Sequence, residues 1–255
     1  MNPGEYDAMA RVEEAHWWYR GLRDCYRQIL ERPEFRPSPG CRILDVGCGT
    51  GENLRCLVEL LQPSYAEGFD PSDEALQWAR RKAPDARIDR GDLCAPELYS
   101  DAFDLVVSLD VIYIPGIERA LKGLRTIVGA MRSGGLFIIN LPAYDWLYSE
   151  HDVAIHTRER YTVSRIQTLF DQLGLGVERL SYRLCFLFPA IVLSRLPGKL
   201  RAKPGDATAR SDLHELPGAW TNQLFLPTLR AENRWIARGG RLPWGSSVFA
   251  VGRKP

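Results

Sequence analysis

The residues best placed to do chemistry lie in one short run, Ile43-Leu44-Asp45-Val46-Gly47-Cys48-Gly49-Thr50-Gly51-Glu52-Asn53. An apolar stretch leads into a glycine-rich turn, and a helical pattern follows. Glycines let a backbone approach a ligand closely where a Cβ would clash. A ligand bound there sits beyond the carboxyl end of a strand, close to the outward-pointing N–H groups of a helix start. A second acid, Asp70, ends the next apolar stretch, where a carboxylate can hold ribose hydroxyls. Turn and acid together point to a nucleoside-bearing ligand. The pattern Gly47-x-Gly49-x-Gly51 differs from the dinucleotide G-x-G-x-x-G, and Asp45 suits an ammonium better than a pyrophosphate. A nicotinamide cofactor shares the geometry, so an NAD(P)-dependent oxidoreductase is the competing reading. A third is a non-catalytic cofactor-binding protein, whose mark would be a damaged glycine turn; this turn is intact.

Proton transfer has its own candidates. The chain has four histidines, of which His151 and His156 fall in the connection after a strong apolar stretch at 136–141. A neutral imidazole there can take a proton from an acceptor hydroxyl, amine or acidic carbon. His151 has an acid on either side, Glu150 and Asp152, to orient it. Tyr113 and Tyr161 are further candidates. The plainer reading of these polar residues is loop hydrogen bonding and capping. Nearer the start, His16-Trp17-Trp18-Tyr19-Arg20-Gly21-Leu22-Arg23 places aromatic and basic groups on one helix. Its plainer reading is an amphipathic helix packing Trp17 and Leu22 on the core. None of the six cysteines forms a C-x-x-C pair, so no metal site is expected.

These residues need elements to position them. Residues 5–31 read as one helix ending before Pro33, and Arg36-Pro37-Ser38-Pro39-Gly40 as a linker. A βα alternation follows, with strands expected at 43–46, 66–69, 86–89, 103–109 and 136–141. Helices are expected at 52–61, 73–82 and 117–131, and the last helix is separated from its strand by the Ser133-Gly134-Gly135 turn. Beyond come a helix at 163–173, a strand at 177–183 and a final strand at 247–251. Such alternation implies a parallel sheet covered on both faces. About 60 residues separate the last two strands, far more than a hairpin loop needs. They include an apolar segment (185–196), a polar loop (197–217) and a helix (219–237), read as an inserted cap.

At this point the chain resembles the class I S-adenosylmethionine-dependent methyltransferases. Asp45-Val46-Gly47-Cys48-Gly49-Thr50-Gly51 matches that family's first motif, and Gly68-Phe69-Asp70 its second. Gly91-Asp92-Leu93 matches the third, and Phe103-Asp104-Leu105-Val106 with Ser108-Leu109-Asp110-Val111 the fourth. The likeness covers about residues 36–183 and the last strand. It implies a Rossmann-like α/β fold whose seven-stranded sheet has the order 3-2-1-4-5-7-6 with the last strand antiparallel, and S-adenosylmethionine as cofactor. It places the cofactor against Asp45, Gly47, Cys48, Gly49, Gly51, Asn53, Asp70, Pro71, Asp92, Leu93 and Leu109, with Asp92 near the adenine amino group. An aromatic leader helix like 16–23 closes over the cofactor in a subset of relatives, which adds Trp18 and Arg23. One departure matters: where many relatives carry Glu-His after the fourth strand, as in D-V-L-E-H, this chain has Asp110-Val111-Ile112-Tyr113-Ile114, with isoleucine or tyrosine at the histidine position. A base at that position does not carry over.

Composition sets the frame. A chain of 255 residues with 45% hydrophobic and 25% charged residues can build one sizeable core. The expected division is a helical lid (1–35), a cofactor-binding core (36–183), a helical cap (184–243) and a last strand (244–255) in one methyltransferase domain. A formal net charge of +1 gives no bulk attraction to nucleic acid. The acceptor expected is a small molecule, such as a secondary metabolite, sugar or lipid-linked compound. The acidic, broken start of the chain does not read as a signal sequence, and the thiols fit a cytoplasmic setting. The apolar stretch within 185–203, followed by cations, offers a contact for a membrane surface, a lipophilic substrate or a second copy in a homodimer.

Overall fold

The computed structural model describes residues 4–98, 102–201 and 219–255. The helical start is two elements, α1 (Glu5–Val12) and α2 (Trp17–Leu30), where the sequence suggested one. The break has a local cause. His16 sits in an extended conformation, and its Nδ1 accepts the Trp18 N–H at 3.1 Å, capping α2. Arg23 Nη2 donates to the Glu13 carbonyl at 2.6 Å, engaging a group the break leaves outside a helix.

The alternating core is β1 (Arg42–Val46), α3 (Glu52–Leu61), β2 (Tyr65–Asp70), α4 (Asp73–Lys82), β3 (Arg87–Arg90), β4 (Phe103–Leu109), α5 (Ile117–Gly129) and β5 (Met131–Pro142). There follow α6 (Glu150–Ala154), α7 (Val163–Leu173), β6 (Gly176–Arg183), α8 (Phe188–Arg201), α9 (Ala219–Ala237) and β7 (Ser247–Arg253). The seven strands run β3-β2-β1-β4-β5-β7-β6, the expected order. Strands β1 to β5 pair in parallel, and β7 is antiparallel to both β5 and β6. The Ser133-Gly134-Gly135 turn lies inside β5, where the pairing register to β4 shifts between Phe103 and Leu105.

Side-chain alternation divides the interior into two layers. Ile43, Leu105, Val107 and Ile138 face α2, α3, α4 and the end of α9, while Leu44, Val106, Phe137 and Ile139 face α5 and α7. Helix α9 thus does more than cap: Ile236 and Ala237 are buried in the sheet's own core, and Asn233 Nδ2 reaches back to α2 through the Gly21 carbonyl and Asp24, both at 2.8 Å. The apolar segment after β6 forms α8, and the polar loop continues it to Arg201; the rest of that loop, with Lys203 and His214, lies outside the described residues.

Candidate cofactor and acceptor site

A cavity of about 810 Å³ opens at the carboxyl edge of the sheet. Its floor is the turn after β1. Gly47 has φ +72°, and a Cβ there would stand 2.5 Å from Val111 Cγ2, so only glycine lets the loop pass beneath the chain leaving β4. Gly51 has φ +81° and is not in the cavity wall; a Cβ on it would meet the Ala79 Cα at 2.6 Å, so it seats α3 against α4. Asp70 is buried, accepting N–H bonds from Gly49 (3.1 Å) and Ser72 (2.9 Å) and the Tyr6 hydroxyl at 3.4 Å. Burial raises its pKa against those hydrogen bonds.

Of the cofactor residues expected from sequence, Gly47, Cys48, Gly49, Asn53, Asp70, Pro71, Asp92, Leu93, Leu109, Trp18 and Arg23 line this cavity. Asp45 does not: it stands behind the turn, 2% exposed, with Oδ2 lacking a hydrogen-bond partner. Burial first and the nearby Asp70 second push its carboxyl up to about 7. Asp92 is at the exposed rim, its Oδ1 accepting the Cys94 N–H at 2.8 Å.

Of the proton-transfer candidates, His151 and Tyr113 line the cavity and His156 does not. His156 is exposed at the end of α6, in a left-handed conformation with φ +60°. Asp152 does more than stand beside His151. Its carboxylate takes two bonds of 2.9 Å from Arg160 and the Ser149 N–H at 2.9 Å, closing a buried ion pair and a capping box. Burial is the largest effect and works against that charge, but Arg160 first, then His151 and Arg195, and the Ser149 N–H bond together outweigh it and the pKa falls. Tyr113 is buried, which lifts its phenol well above the ordinary value and leaves it a proton donor at neutral pH. Tyr161 lies in the core, its hydroxyl 3.4 Å from the Ile112 carbonyl.

Several wall residues carried no signal of their own in the sequence: Tyr6, Met9 and Glu13 from the start of the chain and Phe225 from α9. Ile191 and Arg195, from α8, fall in the 185–203 stretch expected to make a contact. Glu13 ties the lid to the turn, accepting from the Thr50 hydroxyl at 2.7 Å and pairing with Lys82 at 2.7 Å. Asp110 also lines the cavity; the rule that singled out Asp70, an acid at the end of an apolar strand, would have found it too. His16 is in the wall as well, kept neutral at pH 7 by burial that lowers it to about 4.

A glycine turn after β1, strand-ending acids and this strand order define a Rossmann-like α/β domain. Residues 43–135 match the methyltransferase domain family, and the core is similar to class I S-adenosylmethionine-dependent methyltransferase domains. The family's cofactor is S-adenosylmethionine, and this site fits it: a cradle that Cβ atoms would fill and a buried, unsatisfied carboxylate beside a binding turn. The chain is 28% identical to trans-aconitate 2-methyltransferase of Deinococcus radiodurans across 66% of this chain and 57% of that protein. It is 31% identical to glycine N-methyltransferase of Mus musculus across 56% of this chain and 50% of that one. The chain thus spans about half the length of the curated relatives it matches. Among solved structures, an S-adenosylmethionine-dependent methyltransferase from Mesorhizobium loti shares the fold, with TM-score 0.59 and 19% identity over 95% of this chain and all (100%) of that one. A methyltransferase from Haloferax volcanii, solved with its Trm112 activator, has TM-score 0.60 at 19% identity, covering 100% of this chain and 98% of the other.

Proposed function

We propose that the protein transfers a methyl group from S-adenosylmethionine to a small-molecule acceptor. The observation that carries this is a single cavity bringing Gly47, Gly49, Asp70 and Asp92 together with walls from α2, α8 and α9, large enough for a cofactor and a small acceptor. The sulfonium supplies an already activated methyl group, so the protein's task is alignment and exclusion of water. Asp70 would hold the ribose hydroxyls, Asp92 and Leu93 the adenine, and Trp18 with Arg23 the end nearer the lid. His151 and Tyr113 face the space left for the acceptor, Tyr113 as a hydrogen-bond donor.

Among the described residues no helix is long and apolar enough to cross a membrane. A cytoplasmic setting and a biosynthetic role are part of the proposal, as is contact of α8 with a membrane surface, a lipophilic acceptor or a second copy. Exposed Phe186 and Leu193 at that helix support such a contact.

Calorimetry with S-adenosylmethionine and with NADH tests the core of the reading. The first should bind, and Asp70→Ala should weaken it by about 1–3 kcal/mol, the cost of unmatched hydrogen-bonding groups. Tight NADH binding would refute the assignment, and unchanged affinity in the variant would remove Asp70 from the ribose.

A further inference from the structure

Asp110 follows the last residue of β4 and belongs to the fourth motif, in which it has so far been given no role. It faces the cavity, in a left-handed conformation with φ +60° that a non-glycine residue adopts at a cost of about 1–3 kcal/mol. Its neighbour Val111 is the side chain that packs over Gly47 of the cofactor turn. Its backbone N–H is fixed to the Asn140 carbonyl at 2.9 Å. Asn140 Nδ2 lies 3.0 Å from both carboxylate oxygens. Asn140 is held in turn: its Oδ1 accepts from Arg183 Nη1 at 3.0 Å, and Arg183 Nε reaches Asn233 Oδ1 at 3.4 Å. Asn233 ends the chain on α2, at Gly21 and Asp24. Asn140, Arg183 and Asn233 are each at most 1% exposed.

Three elements, β5, β6 and α9, thus spend buried polar side chains, anchored on α2, on aiming one carboxylate at the cavity. Such a network is costly to bury and fixes one geometry when every member is satisfied. A carboxylate needed only for structure would be satisfied by it and turned away from the ligand space. On the reading that this is a methyl-transfer site, we infer that Asp110 is a catalytic carboxylate that faces the reacting centre and takes the acceptor's proton, so that the acceptor is one that gives up a proton: an amine, a hydroxyl compound or an acidic carbon. The balance is simple. The acceptor nitrogen, oxygen or carbon bonds to the methyl carbon, the carbon–sulfur bond breaks with its electron pair left on sulfur, and the acceptor's proton passes to Asp110 and then to solvent. Burial raises the carboxyl to about 7 against the opposing Asn140 hydrogen bond and Arg183 charge, a strength suited to proton transfer near neutrality. The other titratable groups facing it are the phenols of Tyr19 on α2 and Tyr113 on the loop after β4.

The test compares S-adenosylmethionine with S-adenosylhomocysteine, which lacks the methyl group and the charge on sulfur. Calorimetry at pH 7 in two buffers of different ionisation enthalpy counts the protons released on binding each. Everything the two ligands share, including the α-ammonium and its effect on Asp45, cancels in the difference. S-adenosylmethionine should release more, by up to roughly half a proton, because a carboxyl with a pKa near the working pH is half protonated. The excess should vanish in Asp110→Asn while both ligands still bind. Equal release in the wild type overturns the inference whether or not the variant folds, as does an excess that survives in Asp110→Asn. Failure of either nucleoside to bind the wild type would instead fell the cofactor reading beneath it. The methylated product reads the second half: a product whose acceptor amine, hydroxyl or carbon has lost a proton agrees, whereas a methyl ester formed from a carboxylate, which loses none, overturns it.

Discussion

Asp45→Asn should stabilise the ligand-free protein at pH 8 and destabilise it by about 1–3 kcal/mol at pH 4, where only its unmatched amide N–H groups count. Asp45 is buried, with its Oδ2 unsatisfied and Asp70 nearby, and its carboxyl is raised from 3.8 to about 7. A folded-state pKa above the unfolded value means that the folded protein holds the proton more tightly. The associated stability is complete below pH 3.8 and is lost as pH rises through about 7. The shift spans roughly 3 units, and at about 1.4 kcal/mol per unit the ionised carboxylate costs the fold about 4 kcal/mol at pH 8. Asparagine keeps the shape and never ionises. Its amide N–H groups also lack a partner at that position, which costs back about 1–3 kcal/mol. A net gain of about 1–3 kcal/mol remains at pH 8, or a melting shift of roughly 2–4 °C per kcal/mol for a domain of this size. Urea unfolding of both proteins at pH 5 and pH 8 measures the gap. A gap of the same size at both values would show that Asp45 ionises normally and that the turn carries no stored charge. In the presence of saturating S-adenosylmethionine the order should reverse, because binding stabilises the wild type and is weakened in the variant.

Gly51→Ala should cost about 2–4 kcal/mol of stability, from a left-handed backbone that alanine resists and a Cβ pressed on the α4 backbone; a melting temperature within 2 °C of wild type, on the order of the shift for 1 kcal/mol or less, would contradict the packing described. His156→Ala should leave turnover unchanged, since the residue is exposed outside the cavity. His151→Ala should lower turnover by less than the ~10²–10⁴-fold expected of a positioned base, with the acid limb near pH 7 that belongs to Asp110 retained. A loss of full size together with removal of that limb would return the proton to the imidazole.

What the sequence made legible was local. Helices at 52–61, 73–82, 163–173 and 219–237 and the strand at 103–109 fall where their periodicity and caps place them, because those signals are read within a few turns of chain. The glycine turn was legible for the same reason: strand, turn and helix are contiguous. Residues that act through distant partners were not. Asp152 looks in sequence like a neighbour that orients His151, yet it pairs with Arg160 eight positions on and caps its own helix at Ser149. The break at Glu13–His16 was hidden because a helical hydrophobic pattern runs through it, and only the capping histidine and the Arg23 contact to the Glu13 carbonyl mark it. The Asn140–Arg183–Asn233 chain joins residues 43 and 50 positions apart, and no period in the sequence connects them.

The two raised carboxylates share one logic. Asp45 stands behind the cofactor turn and Asp110 before it, with Gly47 and Val111 packed between the segments that carry them. Each is held near pH 7 by burial, so the ligand-free site stores unfavourable negative charge on both sides of the place where the glycines allow close approach. A cation bound there would relieve both at once. S-adenosylmethionine carries two positive centres, the α-ammonium and the sulfonium, and loses the second when its methyl leaves. The site then regains part of its unfavourable charge with S-adenosylhomocysteine bound. That difference should make the protein grip the methylated form more tightly than the demethylated one at pH 8 and lose the preference toward pH 5, where both carboxyls are protonated without help. Product release would be assisted by the same electrostatics that hold the reactant, with no movement of the lid required. The ratio of the two dissociation constants at pH 8 and pH 5 measures it, and a ratio independent of pH would show that the stored charge plays no part in choosing between them.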